Sequence, residues 1–192
     1  MKTIKTAIVA ATTLTALTLA TAPTAVALDA SASIATSYLF RGAEMASGSP
    51  AVSADVSSSS NGLTYGVWVS SGDSQTEYDL YVDYSGTAGD IGYSIGYVDY
   101  NYATTPETSD LEEAYIGLSF GPASVTYYDE QDGDGKYTVF GYDIGAYSLA
   151  YGDNDSTTHF DVTYSVNDSL SLTVSKPEDE DAIVVASYSL PF

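Results

Sequence analysis

Residues 162–175 read V-T-Y-S-V-N-D-S-L-S-L-T-V-S, with a large apolar side chain at every second position on either side of Asn167-Asp168. A period of two places side chains on alternate faces of an extended strand, and Asn-Asp between two such runs is turn chemistry. The stretch therefore predicts two antiparallel strands, each apolar on one face and small or hydroxylated on the other.

The same pattern recurs outward from this hairpin. Tyr78, Leu80, Val82 and Tyr84 alternate with Glu77, Asp79, Tyr81 and Asp83, and Ile91, Tyr93, Ile95 and Tyr97 alternate with Gly92, Ser94 and Gly96. Helical periodicity is almost absent. Turn signals between the runs predict about twelve strands, near 30–41, 50–59, 63–71, 76–85, 90–101, 111–120, 122–130, 136–144, 146–152, 157–166, 169–176 and 182–192. Ten strands, or eight longer ones, are the alternatives, with 146–152 the weakest segment.

The ends and the charge narrow the class. Met1 to Lys5 carries two lysines, Thr6 to Ala20 is uncharged, and Pro23 precedes Ala25-Val26-Ala27. A basic start, a short apolar middle and an A-x-A site describe a secretory signal peptide over residues 1–27, leaving one domain over 28–192. That domain keeps Arg41, Lys136 and Lys176 as its only basic side chains against 26 Asp and Glu. So acidic a chain has nothing to neutralise phosphates with, which excludes nucleic acid as a partner. Cysteine is absent, so no disulfide staples this exported protein.

Connections alternate in length. Those at Ser60-Asn61-Gly62, Gly86 to Gly89, Gly121, Gly145 and Asn167-Asp168 are tight. Those at Gly42 to Ser49, Gly72 to Gln75, Ala103 to Asp110, Gln131 to Gly135, Asp153 to Ser156 and Pro177 to Asp181 are longer and mostly acidic. Outer-membrane barrels sort their loops in this way, with short periplasmic turns and longer external loops. The expected fold is thus all-β, an antiparallel up-and-down transmembrane β-barrel in a bacterial outer membrane. The final strand, with Val184, Ala186, Tyr188, Leu190 and Phe192 on one face, is similar to the C-terminal recognition element of such barrels, and 18 tyrosines suit two bilayer interfaces.

Reading the alternation as lipid-facing against lumen-facing gives the candidate site. In the first strand Ile34, Thr36, Tyr38 and Phe40 share the outer face, while Arg41 falls on the inner face with Ser31, Ser33, Ala35, Ser37 and Leu39. Trp68, Glu77, Asp79, Asp83, Glu113, Asp143, His159 and Asp161 also fall inside. Arg41 would then face interior carboxylates, either as a charged constriction or as a structural ion pair. Asp129, Asp132 and Asp134 lie in half of a calcium-loop pattern that lacks the late bidentate glutamate. They read as a solvated acidic loop or as a weak divalent site. His159 has no nucleophile motif beside it, so no enzyme activity, cofactor or firm metal site is expected.

The run Ser37-Tyr38-Leu39-Phe40-Arg41-Gly42, followed by Pro50-Ala51-Val52 and Gly66-Val67-Trp68-Val69-Ser70-Ser71, resembles the TorF-like porin family of proteobacteria. Glu77-Tyr78-Asp79 and the aromatic end extend the likeness over most of the chain after the leader. The resemblance implies an outer-membrane channel. Together these readings point to passive diffusion of small hydrophilic solutes, with carboxylates favouring cations. Outer-membrane lipids are the expected surroundings, and a homo-oligomer stays open. The alternative is a non-conducting structural or adhesive barrel working through its acidic loops.

Overall fold

The structure, a computed structural model, describes residues 27–45, 47–71, 76–103 and 111–192. The expected leader lies outside the described residues up to Val26, as do the connections 72–75 and 104–110. In chain order the strands are β1 (Ala27–Ala35), β2 (Leu39–Phe40), β3 (Ala43–Glu44), β4 (Ala51–Ser60), β5 (Leu63–Ser71), β6 (Thr76–Ala88) and β7 (Ile91–Tyr102). They continue as β8 (Leu111–Phe120), β9 (Ala123–Glu130), β10 (Lys136–Ile144), β11 (Tyr147–Asn154), β12 (Thr157–Ser165), β13 (Leu170–Pro177) and β14 (Ile183–Pro191).

Twelve of these strands form one closed antiparallel barrel in sequence order, and β2–β3 stand apart as a two-stranded hairpin. Closure comes from β1, which pairs with β4 on one side and β14 on the other, through Ile34↔Val52 and Ile34↔Tyr188 among others. The eight- and ten-strand alternatives are thereby excluded. The weakest expected segment is a full strand, because β11 pairs along its whole length with β12, from Tyr147↔Tyr164 to Asn154↔Thr157.

Two sequence expectations need correction. The connection expected at Asp153 to Ser156 shrinks to Asp155-Ser156, since β11 runs on to Asn154 while β12 begins at Thr157 as expected. More consequentially, the first strand ends at Ala35 rather than at Arg41. Thr36 still bonds through its N–H to the Ala186 carbonyl at 2.9 Å, and beyond it the chain leaves the wall. Residues 37–45 then fold back into the lumen instead of continuing past the rim.

The outer surface is apolar on every strand. Along β6 the exposed row is Tyr78, Leu80, Val82 and Tyr84, and β11 and β12 show Tyr147 with Tyr151 and Phe160 with Tyr164. The aliphatic middle flanked by aromatic rings is what a bilayer core between two interfaces selects. A water-soluble protein would bury these side chains, because each fully buried one contributes about 1.5–3 kcal/mol. The fold thus fits an outer-membrane-type barrel.

Inside, glycine makes room for rings. A Cβ on Gly66 would overlap the Tyr81 phenol, one on Gly96 the Tyr115 ring, and one on Gly152 the His159 imidazole and the Tyr137 hydroxyl. We expect Gly152→Ala to lower the unfolding free energy by about 1–3 kcal/mol through overpacking. Gly141→Ala should cost less, because its Cβ meets only the Ser124 hydroxyl, which can rotate away. Urea titration of the folded barrel in lipid vesicles would compare the two.

Candidate functional site: the occupied lumen

The hairpin that enters the lumen is short. Leu39 pairs with Glu44 and Phe40 with Ala43, so Arg41-Gly42 is its two-residue turn. Both turn residues have positive φ, 51° at Arg41 and 82° at Gly42. This is the type I′ geometry that suits right-twisted hairpins. Glycine is at home there, whereas arginine in the left-handed region costs about 1–2 kcal/mol. Gly42 is also held by space, because a Cβ would run into the His159 side chain. The hairpin is tied by Ser37 Oγ donating to Glu44 Oε1 at 2.8 Å and by the Met45 N–H to the Tyr38 carbonyl at 2.8 Å.

The turn presents Arg41 to the barrel wall. Its Nη2 donates to Glu113 Oε2, with the Arg41 side chain 8% and the Glu113 side chain 1% exposed. Tyr100 Oη donates to the same carboxylate oxygen at 3.2 Å. The guanidinium carbon lies 4.3 Å from the Tyr137 ring centroid, 4.8 Å from that of Phe40 and 5.4 Å from that of Tyr128. Cation–π attraction from a desolvated site adds to the ion pair, and together these contacts offset the strained turn. Tyr115, Tyr128, Tyr137 and His159 continue as a row of neighbouring rings along the wall, with centroids 5.2–5.9 Å apart.

The other expected residues divide into groups. Asp83 accepts from Tyr115 Oη at 2.8 Å. His159 Nε2 lies 2.9 Å from Tyr137 Oη, and its Nδ1 lies 3.2 Å from Asp161 Oδ2 without completing a hydrogen bond. Ser175 Oγ donates to Asp161 Oδ1 at 2.6 Å, so the buried serine of this chain of contacts serves the carboxylate rather than the imidazole. Glu77 and Asp79 are buried on β6 beside Trp68, whose ring packs on Tyr38 with centroids 5.8 Å apart. Asp143 does not join them. It is exposed next to the β10–β11 turn, where it accepts from Ser148 Oγ at 2.7 Å.

The loop after β9 is also not assembled as a metal site. Asp129 accepts from Tyr127 Oη on the outside, Asp132 and Asp134 are exposed, and Glu130 folds over the loop to accept the Gly135 N–H at 3.1 Å. No group of three or more His, Asp or Glu able to hold a metal occurs among the described residues.

Sequence alternation missed Tyr38 and Phe40, placed on the lipid face but found inside: Tyr38 is buried, and Phe40 packs edge-on against Tyr100 at 5.9 Å. It also passed over Tyr100, Tyr128, Tyr137 and Asp55, the last of which accepts from Tyr81 Oη at 2.9 Å. A signal for these was available, since Tyr100 shares parity with Val98, and Tyr128 is opposite in parity to the exposed Tyr127.

The lumen is therefore unequal along its axis. Towards the long connections it is filled by the hairpin and the buried cluster of Val98, Tyr100, Tyr115, Tyr128, Tyr137 and Val139. Towards the tight turns its wall is small and partly accessible, with Ser31, Ser57, Thr64, Ser94, Ser124 and Ser148 all half-buried.

Fold and lumen together define a twelve-stranded barrel of outer-membrane type, with its own hairpin seated inside. A scan against protein-family models and a search of curated proteins both find no match to this chain.

Proposed function

We propose that this protein is an exported outer-membrane channel for passive diffusion of small hydrophilic solutes, narrow and preferring cations. The observation that carries the reading is the inward hairpin, which sets Arg41 against Glu113 inside the barrel rather than capping it from outside. An element folded within a barrel fixes the size and charge of its narrowest point. The serine-rich half below it is a polar vestibule. Acidic side chains along the wall and rim raise the local cation concentration, which gives preference without a specific binding step. The apolar outer belt, the basic and apolar start of the chain and the resemblance to TorF-like porins support export and an outer-membrane setting.

A second reading, a non-conducting structural or adhesive barrel, is favoured by one observation: the rings around Arg41 are packed as a core. Planar-bilayer recording under a salt gradient separates the two. The channel reading expects discrete current steps with a reversal potential of cation-selective sign. A folded, inserted barrel that stays silent would overturn it in favour of the structural reading.

A further inference from the structure

The described residues include five buried side-chain polar atoms without a hydrogen-bond partner, and three of them meet in one place. They are Tyr38 Oη, Ser70 Oγ and Asp79 Oδ1. In the β5–β6 ladder Ser70 is opposite Glu77 and Trp68 opposite Asp79, and across β6–β7 Tyr102 is opposite Glu77 and Tyr100 opposite Asp79. The hairpin segment lays Tyr38 over this patch, with its hydroxyl beside the Glu77 carboxylate and its ring on Trp68.

Glu77 is 3% and Asp79 is 2% exposed, and as positions i and i+2 on the inner face their Cα atoms are about 7 Å apart. Two carboxylates removed from water are neutralised either by a counter-charge or by protons. The barrel's own cations do not supply the counter-charge. Arg41 is held by Glu113, Lys136 is exposed, and Lys176 donates to the backbone carbonyls of Pro177 and Glu180. Residues 46, 72–75 and 104–110 contain no Lys, Arg or His. Glu77 is approached by two neutral phenols, Tyr38 beside it and Tyr102 Oη at a long 3.4 Å, and neither brings a positive charge. The pair is thus rich in oxygen donors and lacks positive charge.

We propose that Glu77 and Asp79, with the Tyr38 and Ser70 hydroxyls, bind a hard divalent cation of the Ca²⁺ type inside the lumen. Two carboxylates neutralise a charge of two, and the donors are all oxygen, which favours such an ion over the softer transition metals. The neutral hydroxyls provide the further ligands that a dehydrated ion of this kind requires, and Tyr38 makes the site depend on the hairpin being seated. The site would be filled whether or not the barrel conducts.

Trp68, the only tryptophan in the chain, is a built-in reporter beside the site. The folded barrel in detergent is titrated with CaCl₂ while tryptophan fluorescence is recorded, with KCl and tetramethylammonium chloride at matched ionic strength. The expected result is a saturable response to Ca²⁺ that neither monovalent salt reproduces. It should be lost in Glu77→Gln/Asp79→Asn and kept in Asp132→Asn/Asp134→Asn. Ca²⁺ should also raise the thermal unfolding midpoint of the unmodified protein and not that of the Glu77→Gln/Asp79→Asn variant. Asp79→Asn alone serves as the near-isosteric test if the double variant does not fold. The proposal is overturned if the unmodified, folded barrel gives no saturable Ca²⁺ response, which would leave protons to neutralise the pair. It is equally overturned if the monovalent salts match Ca²⁺, or if the response survives in the variants at Glu77 and Asp79.

Discussion

Replacing Ser37–Met45 by a short glycine-serine linker is expected to raise single-channel conductance several-fold while the barrel still folds. The reason is geometric. Barrels of about eight strands are filled by their own side chains, and those of about sixteen keep an aqueous channel. Twelve strands leave an intermediate lumen, and much of this wall carries only serine, threonine or glycine. The hairpin occupies that space, so its removal widens the narrowest point and takes the only arginine with it. Cation preference should strengthen at the same time, because the carboxylates stay behind. The barrel wall should survive the change, since none of its ladders includes residues 37–45. Conductance and reversal potential from the same recordings check both parts. Unchanged conductance in a folded variant would remove the hairpin from the conduction path.

Arg41→Ala is the second large effect. It leaves the Glu113 carboxylate, 1% exposed, with only the Tyr100 hydroxyl for support among the described residues. Removing one partner of a buried ion pair typically costs about 3–5 kcal/mol, much of it the penalty for the charge left behind. Arg41→Ala/Glu113→Gln should recover a large part of that loss, because no buried charge then lacks a partner. Denaturant titration of the three proteins in vesicles measures the difference. A loss under about 1 kcal/mol for Arg41→Ala would mean that water reaches the guanidinium and the pair is worth no more than a surface one. The strained φ at Arg41 works in the same direction as the ion pair argument. A residue kept in the left-handed region at a cost is held there by what its side chain reaches.

The occupied lumen also explains why so many tyrosines point inward in a protein whose outer face needs aromatic rings as well. A phenol fills space as a ring and ends in a donor, so it can occupy the lumen while satisfying a wall carboxylate. Tyr81 with Asp55, Tyr115 with Asp83 and Tyr100 with Glu113 all do so. Asp79 departs from this pattern, since its buried Oδ1 has no hydrogen-bond partner among the described residues, and it lies where a cation is proposed.

The sequence alone determined the strands, because the physics behind them is local. Period-two alternation sets which face each residue of a straight strand occupies, and Asn61-Gly62 announces a turn through residues that tolerate positive φ. The outer belt and the inward set of Glu77, Asp79, Asp83, Glu113, His159 and Asp161 followed from that parity, while turn signals gave about twelve strands and the closed ladder excluded eight and ten. Only the tertiary structure decided what fills the barrel. Ser37, Leu39 and Arg41 continue the parity of β1, so nothing local marks the point at which the chain leaves the wall. Arg41-Gly42 also lacks the Asn or Asp that would reveal a type I′ turn. The turn forms because closing twelve strands creates a space with Glu113 and the rings of Tyr128 and Tyr137 at the right depth, and the gain from reaching them exceeds the local cost at Arg41. The meeting of Tyr38 with Glu77 and Asp79 has the same origin, since the residues come from segments that only barrel closure and the inward hairpin bring together.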